Sequence, residues 1–494
     1  MGLPSPRVAL VLAAILASCG KREIRGSPGD ADAQDDPGID VAEAVDPGDP
    51  EMALDPDLPD TLAEPDTSEP DATDCSLAPD LETSHWILRV GGSGDEIPYD
   101  LAVKPDGSIA VVGHQYSLSE SRPFMFTVDG LGNVADGKLI GGLAANSPVK
   151  VIALDDCGLL LAGTTTGSGA GGKDIWLAKL DERGAIVWQK TIGEAGDEDL
   201  PVVIQTAGGG YFMTATIQSL SFGQDLWLVK LDPDASIAWQ ERLGNIYEEY
   251  PAAAAEGPDG TLYALSRLPS EWPVQYDAGI LSLDPGGGIR WQKAIGDATD
   301  DGLSAMVVDG TEIICSGQYS RDLNAWIVKL DASSGDLVWN KAYVVGDGRG
   351  SASDVIGRGD GGCYVCGSHD IGTTSINYQQ WLASIDPDGT IAWQVFIGRD
   401  QEQTAYHLGL HVDGLLVVGK EVSSSSDIWM ARLGLDGTFS GECPLVSPAT
   451  VAAIDLPATL RDTGYVLQPT AAIVQETDAI VLTDVDVPGE LLCP

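Results

Sequence analysis

The side chains able to do chemistry in this sequence are mostly carboxylates, and they recur. Asp95 and Glu96, Asp197 and Glu198, Glu248 and Glu249, Asp300 and Asp301, and Glu402 each stand nine or ten residues after a tryptophan, with Asp347 close to register. Oxygen ligands gathered on one surface suit Ca²⁺ or a basic partner. The same residues, repeated in nearly every unit, equally suit acceptance of hydrogen bonds from the amides of their own turns. No EF-hand spacing accompanies them. Of the five histidines, His407 and His411 are four apart and share one face of a strand, but the sequence offers no third ligand to complete a metal site. Gly-x-Ser-x-Gly, His-Glu-x-x-His and phosphate-binding Gly-Lys-Ser/Thr patterns are absent. No catalytic residue is therefore assigned, and no cofactor beyond Ca²⁺ is considered from the residues.

Eight cysteines are present. Cys443 and Cys493 bracket the C-terminal 50 residues and are the candidate disulfide, with Cys75 a competitor for either partner. Cys363 and Cys366 lie three apart in one expected strand, so their side chains point to opposite faces. They read as buried small residues, as do Cys157 and Cys315.

The elements that position these groups come from a repeat. The phrase running from Asp174 through Trp176, Lys179, Asp181, Gly184 and Trp188 to Gly193 returns around Trp227 and Trp239, Trp326 and Trp339, and Trp381 and Trp393, and less fully around Trp291. Its first anchor falls at Phe124, Trp176, Trp227, Ile280, Trp326, Trp381 and Trp429, at intervals of 52, 51, 53, 46, 55 and 48 residues. Each unit holds four short apolar runs separated by Gly- and Asp-rich turns, without a sustained helical period. Seven such units predict an all-β, seven-bladed β-propeller of four-stranded antiparallel blades. The stretch from Trp86 to Val90 is half a unit. It is expected to join the last blade as its outer strand and close the ring, with Phe439 as the alternative occupant of that place. Residues 444–494 leave the repeat and read as a small C-terminal β segment, on the rim or as an appended sheet.

The phrase Asp-x-Trp-Leu-x-Lys-Leu-Asp-x-x-Gly-x-x-x-Trp-x-Lys-x-x-Gly resembles the repeat of secreted bacterial and archaeal β-propeller proteins over residues 86 to about 440. It is distantly similar to the quinoprotein dehydrogenase blade, best at Asp331 to Trp339. That resemblance implies that the Trp188-type strand is outermost and the Val202-type strand lines the channel. The quinone itself is not expected. Those enzymes usually carry eight blades and often an adjacent Cys pair, whereas this chain shows seven units, and Cys363 and Cys366 are not adjacent.

The N-terminus reads as an address. Arg7 precedes an apolar run from Val8 to Ala17, too short to span a bilayer and suited to a signal peptide. The run ends in Leu16-Ala17-Ser18-Cys19, which resembles the lipobox of bacterial lipoproteins. This implies cleavage after residue 18 and lipid on Cys19, and Gly20 in the next position favours the outer membrane. From Gly26 to Cys75 there are 17 Asp or Glu, eight Pro and no Lys or Arg. Such a segment cannot offset its ordering entropy, so residues 19–75 are expected to form a disordered tether reaching on the order of 100 Å at full extension. The domain layout is thus 1–18 signal, 19–75 tether, 76–443 propeller and 444–494 C-terminal segment.

The formal net charge of -48 argues against nucleic acid as a partner. Apart from the membrane reached through Cys19, the expected partner is a protein or polysaccharide ligand. The reading adopted is a lipid-anchored envelope protein acting by binding. The alternatives are an enzyme, a lyase or hydrolase with its site over the channel, and a scaffold of an envelope assembly.

Overall fold

The computed structural model describes residues 84–494, apart from 93, 117–120, 142–148, 219–222, 245–246, 270–275, 298–299, 320–322, 345–348, 373–376, 399–400, 412, 424, 441–442, 450, 457–458, 464–467, 471, 478–480, 485–486 and 494. Cys19, Cys75, the signal-like stretch and the acidic segment lie outside these residues, as does Asp347.

The described residues form a seven-bladed, all-β propeller without helices. Blade 1 consists of Asp95–Val103, Ile109–Tyr116, Ser121–Val128 and Val134–Gly141, from the centre outward. Blades 2 to 6 repeat this plan over residues 150–193, 198–243, 250–296, 302–344 and 350–397. Blade 7 takes three strands from 402–433, and Trp86–Val90 pairs antiparallel with Ser426–Leu433 to supply the fourth. The innermost strand of each blade neighbours that of the next, and the last neighbours the first, so the ring is closed. Seven apolar clusters, each drawn from two adjoining blades, fill the seams. Burial on both faces explains why the strands alternate so weakly in sequence.

The repeat phrase has a physical basis. In the turn beginning at Asp284, the carboxylate Oδ1 accepts the N–H groups of Gly286 and Gly288. Gly287 then takes φ 90°, a conformation that an L side chain resists. The indole of Trp239, from the preceding blade, lies over this glycine and donates to Pro285 O at 2.9 Å. Trp291, Trp339, Trp393 and Trp86 make the same bond to Ala332, Pro387, Leu435 and Gly130. The Asp-x-x-Gly turn of one blade and the outer tryptophan of the blade before it are thus one joint, which is why they co-occur.

At one anchor the structure differs from the sequence expectation. The anchor of blade 4 is Gly279, not Ile280. Gly279 faces Ala294 as Trp227 faces Arg242, and a Cβ there would stand 2.2 Å from Leu268 Cδ1. Leu268 fills the volume that tryptophan fills elsewhere, and Ile280 packs into the cluster shared with blade 5.

Of the two places expected for the C-terminus, it takes the rim and forms no appended sheet. Each blade has five strands, and the fifth comes from residues 446–493. Val446–Pro448 pairs with blade 6, Ala452–Asp455 with blade 5, and Thr459–Asp462 with blade 4. Gln468–Pro469 pairs with blade 3, Ile473–Glu476 with blade 2, and Val481–Asp484 with blade 1. Gly489–Cys493 ends the circuit on blade 7, outside Trp86–Val90, so neither that strand nor the Trp188-type strand is outermost. The belt runs once around the ring against the order of the blades, and the disulfide between Cys443 and Cys493 joins its two ends. The residue after the outer tryptophan fastens it from inside. Gln240, Asn340 and Gln394 donate to Ala472, Leu456 and Val451 carbonyls. Unpaired edge groups of the outer strands are covered in this way.

Candidate functional site

Six of the seven innermost strands carry a β-bulge near their start. A bulge re-aims the residue after it, and here it turns that residue toward the axis. The equivalent positions, fixed by cross-strand register, are Asp100, Val202, Ala253, Ala305, Asp354 and His407, with Lys150 at the start of the inner strand of blade 2. All seven line one central cavity of about 260 Å³. The ring is divided. Asp354, His407, Asp100 and Lys150 come from four consecutive blades, and Val202, Ala253 and Ala305 from the other three.

The two aspartates are held rigidly. Asp100 accepts the N–H groups of Leu101 and, from the next blade, Val151, both at 3.1 Å. Asp354 accepts those of Val355 and Leu408, both at 2.8 Å. His407 stands between them, its Nδ1 3.8 Å from Asp100 Oδ1 and 3.7 Å from Asp354 Oδ2. These side chains keep 17–23% of their surface exposed, so a ligand in the channel can reach them. Tyr99, the bulge residue before Asp100, bonds Tyr116 hydroxyl to hydroxyl at 2.6 Å. Burial, this bond and nearby Tyr406 raise the Tyr99 pKa, and either hydroxyl can be the donor. A wall of fixed acceptors with one imidazole and one ammonium, facing an apolar wall, suits a neutral polyhydroxylated ligand with one less polar face.

The recurring carboxylates do not converge on a shared centre. Glu96, Glu198 and Asp301 are buried and cap their own crossing loops, accepting the N–H groups of Gly92, Glu194 and Asp297. Glu249 is buried at the equivalent place. Three of the exposed members reach back to the preceding blade. Asp95, Asp197 and Asp300 accept the N–H groups of Ser426, Lys173 and Tyr276. Glu248 bonds the Tyr250 hydroxyl, and Glu402 is exposed at its strand start. Among the described residues no three His, Cys, Asp or Glu come together as ligands for a metal such as Ca²⁺.

His407 and His411 do not meet either. His411 is buried against Asp413, at 2.5 Å, and Arg432. Cys363 and Cys366 point into different clusters, as expected from their spacing, and burial pushes the Cys363 thiol up to about 12. Cys157 is not the free buried thiol anticipated. It is disulfide-bonded.

The sequence had marked His407 but not the three charged residues around it. Asp100, Lys150 and Asp354 share no phrase, because the repeat is read from outer strands while the channel is lined by inner ones.

No protein-family model matches the chain, and no curated protein matches it. Among solved structures it is similar to a protein of unknown function from Dyadobacter fermentans DSM 18053, at 9% identity over 70% of this chain and 97% of that one, TM-score 0.45. It is similar to the polysaccharide lyase Uly1, at 10% identity over 75% and 94%, TM-score 0.43. The periplasmic gluconolactonase PpgL of Pseudomonas aeruginosa gives 14% identity over 76% and 100%, TM-score 0.42. Likeness this remote carries no functional argument.

Proposed function

We propose that this protein is a propeller of the bacterial cell envelope, anchored in the outer membrane by lipid on Cys19 and held off it by the acidic tether, and that it binds a carbohydrate chain at its central channel. The observation that carries the binding reading is the break in sevenfold symmetry at the channel ring. A purely structural ring has no need to place Asp354, His407, Asp100 and Lys150 side by side and leave the opposite arc to Val202, Ala253 and Ala305. Carboxylates already oriented by two backbone N–H groups apiece accept sugar hydroxyls without reordering, and the apolar arc receives the C–H face of the ring.

The test separates ligand contact from fold. His407→Ala and Lys150→Ala remove groups that make no blade-to-blade backbone bond like those of Asp100 and Asp354. Each is expected to weaken binding of soluble envelope polysaccharide at least tenfold in calorimetry while leaving the thermal midpoint unchanged. Unaltered affinity in both variants refutes the channel as the site. Because His407 stands between two carboxylates, it also has the surroundings of a general base. Appearance of new reducing ends or ultraviolet-absorbing unsaturated sugar during the titration, lost in His407→Ala, decides for an enzyme. For the anchor, Cys19→Ser is expected to move the protein from the membrane to the soluble fraction.

A further inference from the structure

Where an outer strand crosses to the inner strand of the next blade, two polar side chains meet over a glycine, and the five describable cases differ in a telling way. The N–H of the second residue bonds the carbonyl just before the first: Glu198 to Lys173 O, Glu249 to Gln224 O, Asp301 to Tyr276 O. The first residue is Asp174, Asp225, Asp277 or Asp427, each leaning over Gly193, Gly244, Gly296 or Gly91. The matching second residue is Glu198, Glu249, Asp301 or Glu96.

Three of these four acid pairs have an arginine at hand. Arg242, directly across from Trp227, stands 3.8 Å from Asp225. Arg89, across from Trp429, stands 3.9 Å from Asp427. Blade 4 has Ala294 at that position, and the belt's Arg461, paired with Ala294, reaches over it to Asp277. The crossing from blade 6 to blade 7 solves the problem differently. Both acids are replaced by amides, and Gln379 Nε2 donates to Gln403 Oε1 at 3.0 Å.

Among the described crossings, only that from blade 2 to blade 3 keeps two acids with neither remedy. The position of Arg242 is held by Thr191, across from Trp176 and 1% exposed, whose Oγ1 has no partner. A Cβ on Gly193 would stand 2.1 Å from Asp174 Oδ1 and 2.4 Å from Glu198 Oε2, so the two carboxyl groups crowd one point. Glu198 is fully buried, and its Oε1 has no partner. The charged groups around them are Glu194 and Asp197 on the crossing loop, Lys173, which pairs with Asp199, and Arg242, which is 3.4 Å from Glu194.

We propose that Asp174 and Glu198 hold one proton between them, making this crossing a pH-sensitive joint where the four comparable crossings carry an arginine or an amide pair. The Gln379–Gln403 bond shows the geometry the proton completes: one N–H there, one O–H here. Two like charges crowded around one buried point do not both ionise readily. Burial, with the charges of Asp174, Glu194 and Asp197 behind it, pushes the Glu198 carboxyl up to about 7, and burial raises that of Asp174 as well. A metal ion is the poorer occupant, because the N–H groups of Ala170, Gly171 and Glu194 already point at these oxygens.

The sign follows from linkage. The folded state holds a proton that the unfolded chain releases near the ordinary value of 4.5, so this stabilisation is complete below that pH and lost as pH rises to about 7. The experiment uses the full chain, Asp174→Asn with Glu198→Gln, and separately Thr191→Arg. Thermal midpoints are followed from pH 5 to pH 8, with infrared spectra in the carboxylic-acid C=O region at pH 6. The difference between each variant and the parent is expected to grow by several degrees in the variant's favour as pH rises. The protonated-acid band of the parent is expected to vanish in both variants. A difference that stays flat with pH, or no such band in the parent, overturns the proposal. So does a midpoint increase on adding CaCl₂ that the parent shows and the variants lack.

Discussion

Opening the belt should cost the molecule several kilocalories and loosen it from one end. Cys443 and Cys493 are 50 residues apart in sequence, and everything between them is the strand that circles the ring. Loop-closure entropy for a cross-link of that span corresponds to about 4 kcal/mol at 25 °C. Cys493→Ser should therefore lower stability by that order. Cys443→Ser should do the same, and the double variant should cost no more than either, because all three open one loop. The loss should also have an address. Among the described residues Gly489–Cys493 pairs only with Trp86–Val90, so once the disulfide is gone that ladder, the Arg89–Glu490 ion pair and the packing of Leu492 hold the terminal strand. Denaturant unfolding gives the total, and backbone hydrogen exchange resolved by segment gives the location. Substitution is preferable to reductant, since Cys157 is also disulfide-bonded. In the variants, exchange should quicken first in 489–493 and then along the belt toward blade 1, while inner strands such as Leu262–Pro269 stay protected. Unchanged exchange in 489–493, or equal quickening in the inner strands, would show that the belt is not a clasped layer over an independently closed ring.

Other outcomes follow from single joints. Gly335→Ala places a Cβ at φ 71° and 2.7 Å from Trp291 Cε3, and should lower stability by roughly 1–3 kcal/mol in denaturant titration. Arg461→Ala strips the buried Asp277 of the cation the belt brings and should cost roughly 2–3 kcal/mol. Adding Asp277→Asn should recover most of that, and no recovery would mean that Arg461 acts through packing alone. His369 is buried against Trp381 and Phe396, and burial lowers its pKa to about 3. The unfolded chain binds a proton near 6.5 that the folded state refuses, so this residue lowers stability as pH falls from about 6.5 toward 3. His369→Phe should flatten that acid limb, whatever its effect at pH 8. This slope opposes that of Glu198 over the same range, so each variant is best read as a difference from the parent.

What the sequence determined by itself was the repeating part. Outer tryptophans, Asp-x-x-Gly turns and the fifty-residue spacing are one joint, closed by an indole hydrogen bond at five of the seams. The constraint is local enough that both of its partners lie within the repeat, and strand content, blade number and the closing role of Trp86–Val90 follow from it. Its limit shows in blade 4, where the apolar Ile280 passed for an anchor because a one-residue shift changes the face but not the character of a strand buried on both sides. The tertiary structure alone decided three things. It placed the C-terminal strands, which are only two to five residues long and chosen by the free backbone edge of a blade rather than by any side-chain period. It brought Asp354, His407, Asp100 and Lys150 to one arc of the channel, because bulges on separate blades aim them there. It also gave Arg461 to Asp277, almost two hundred residues away in sequence, leaving Asp174 and Glu198 as the acid pair without an arginine. A sequence records what each residue needs, but a partner supplied by another blade or by the belt becomes visible only once the ring has closed.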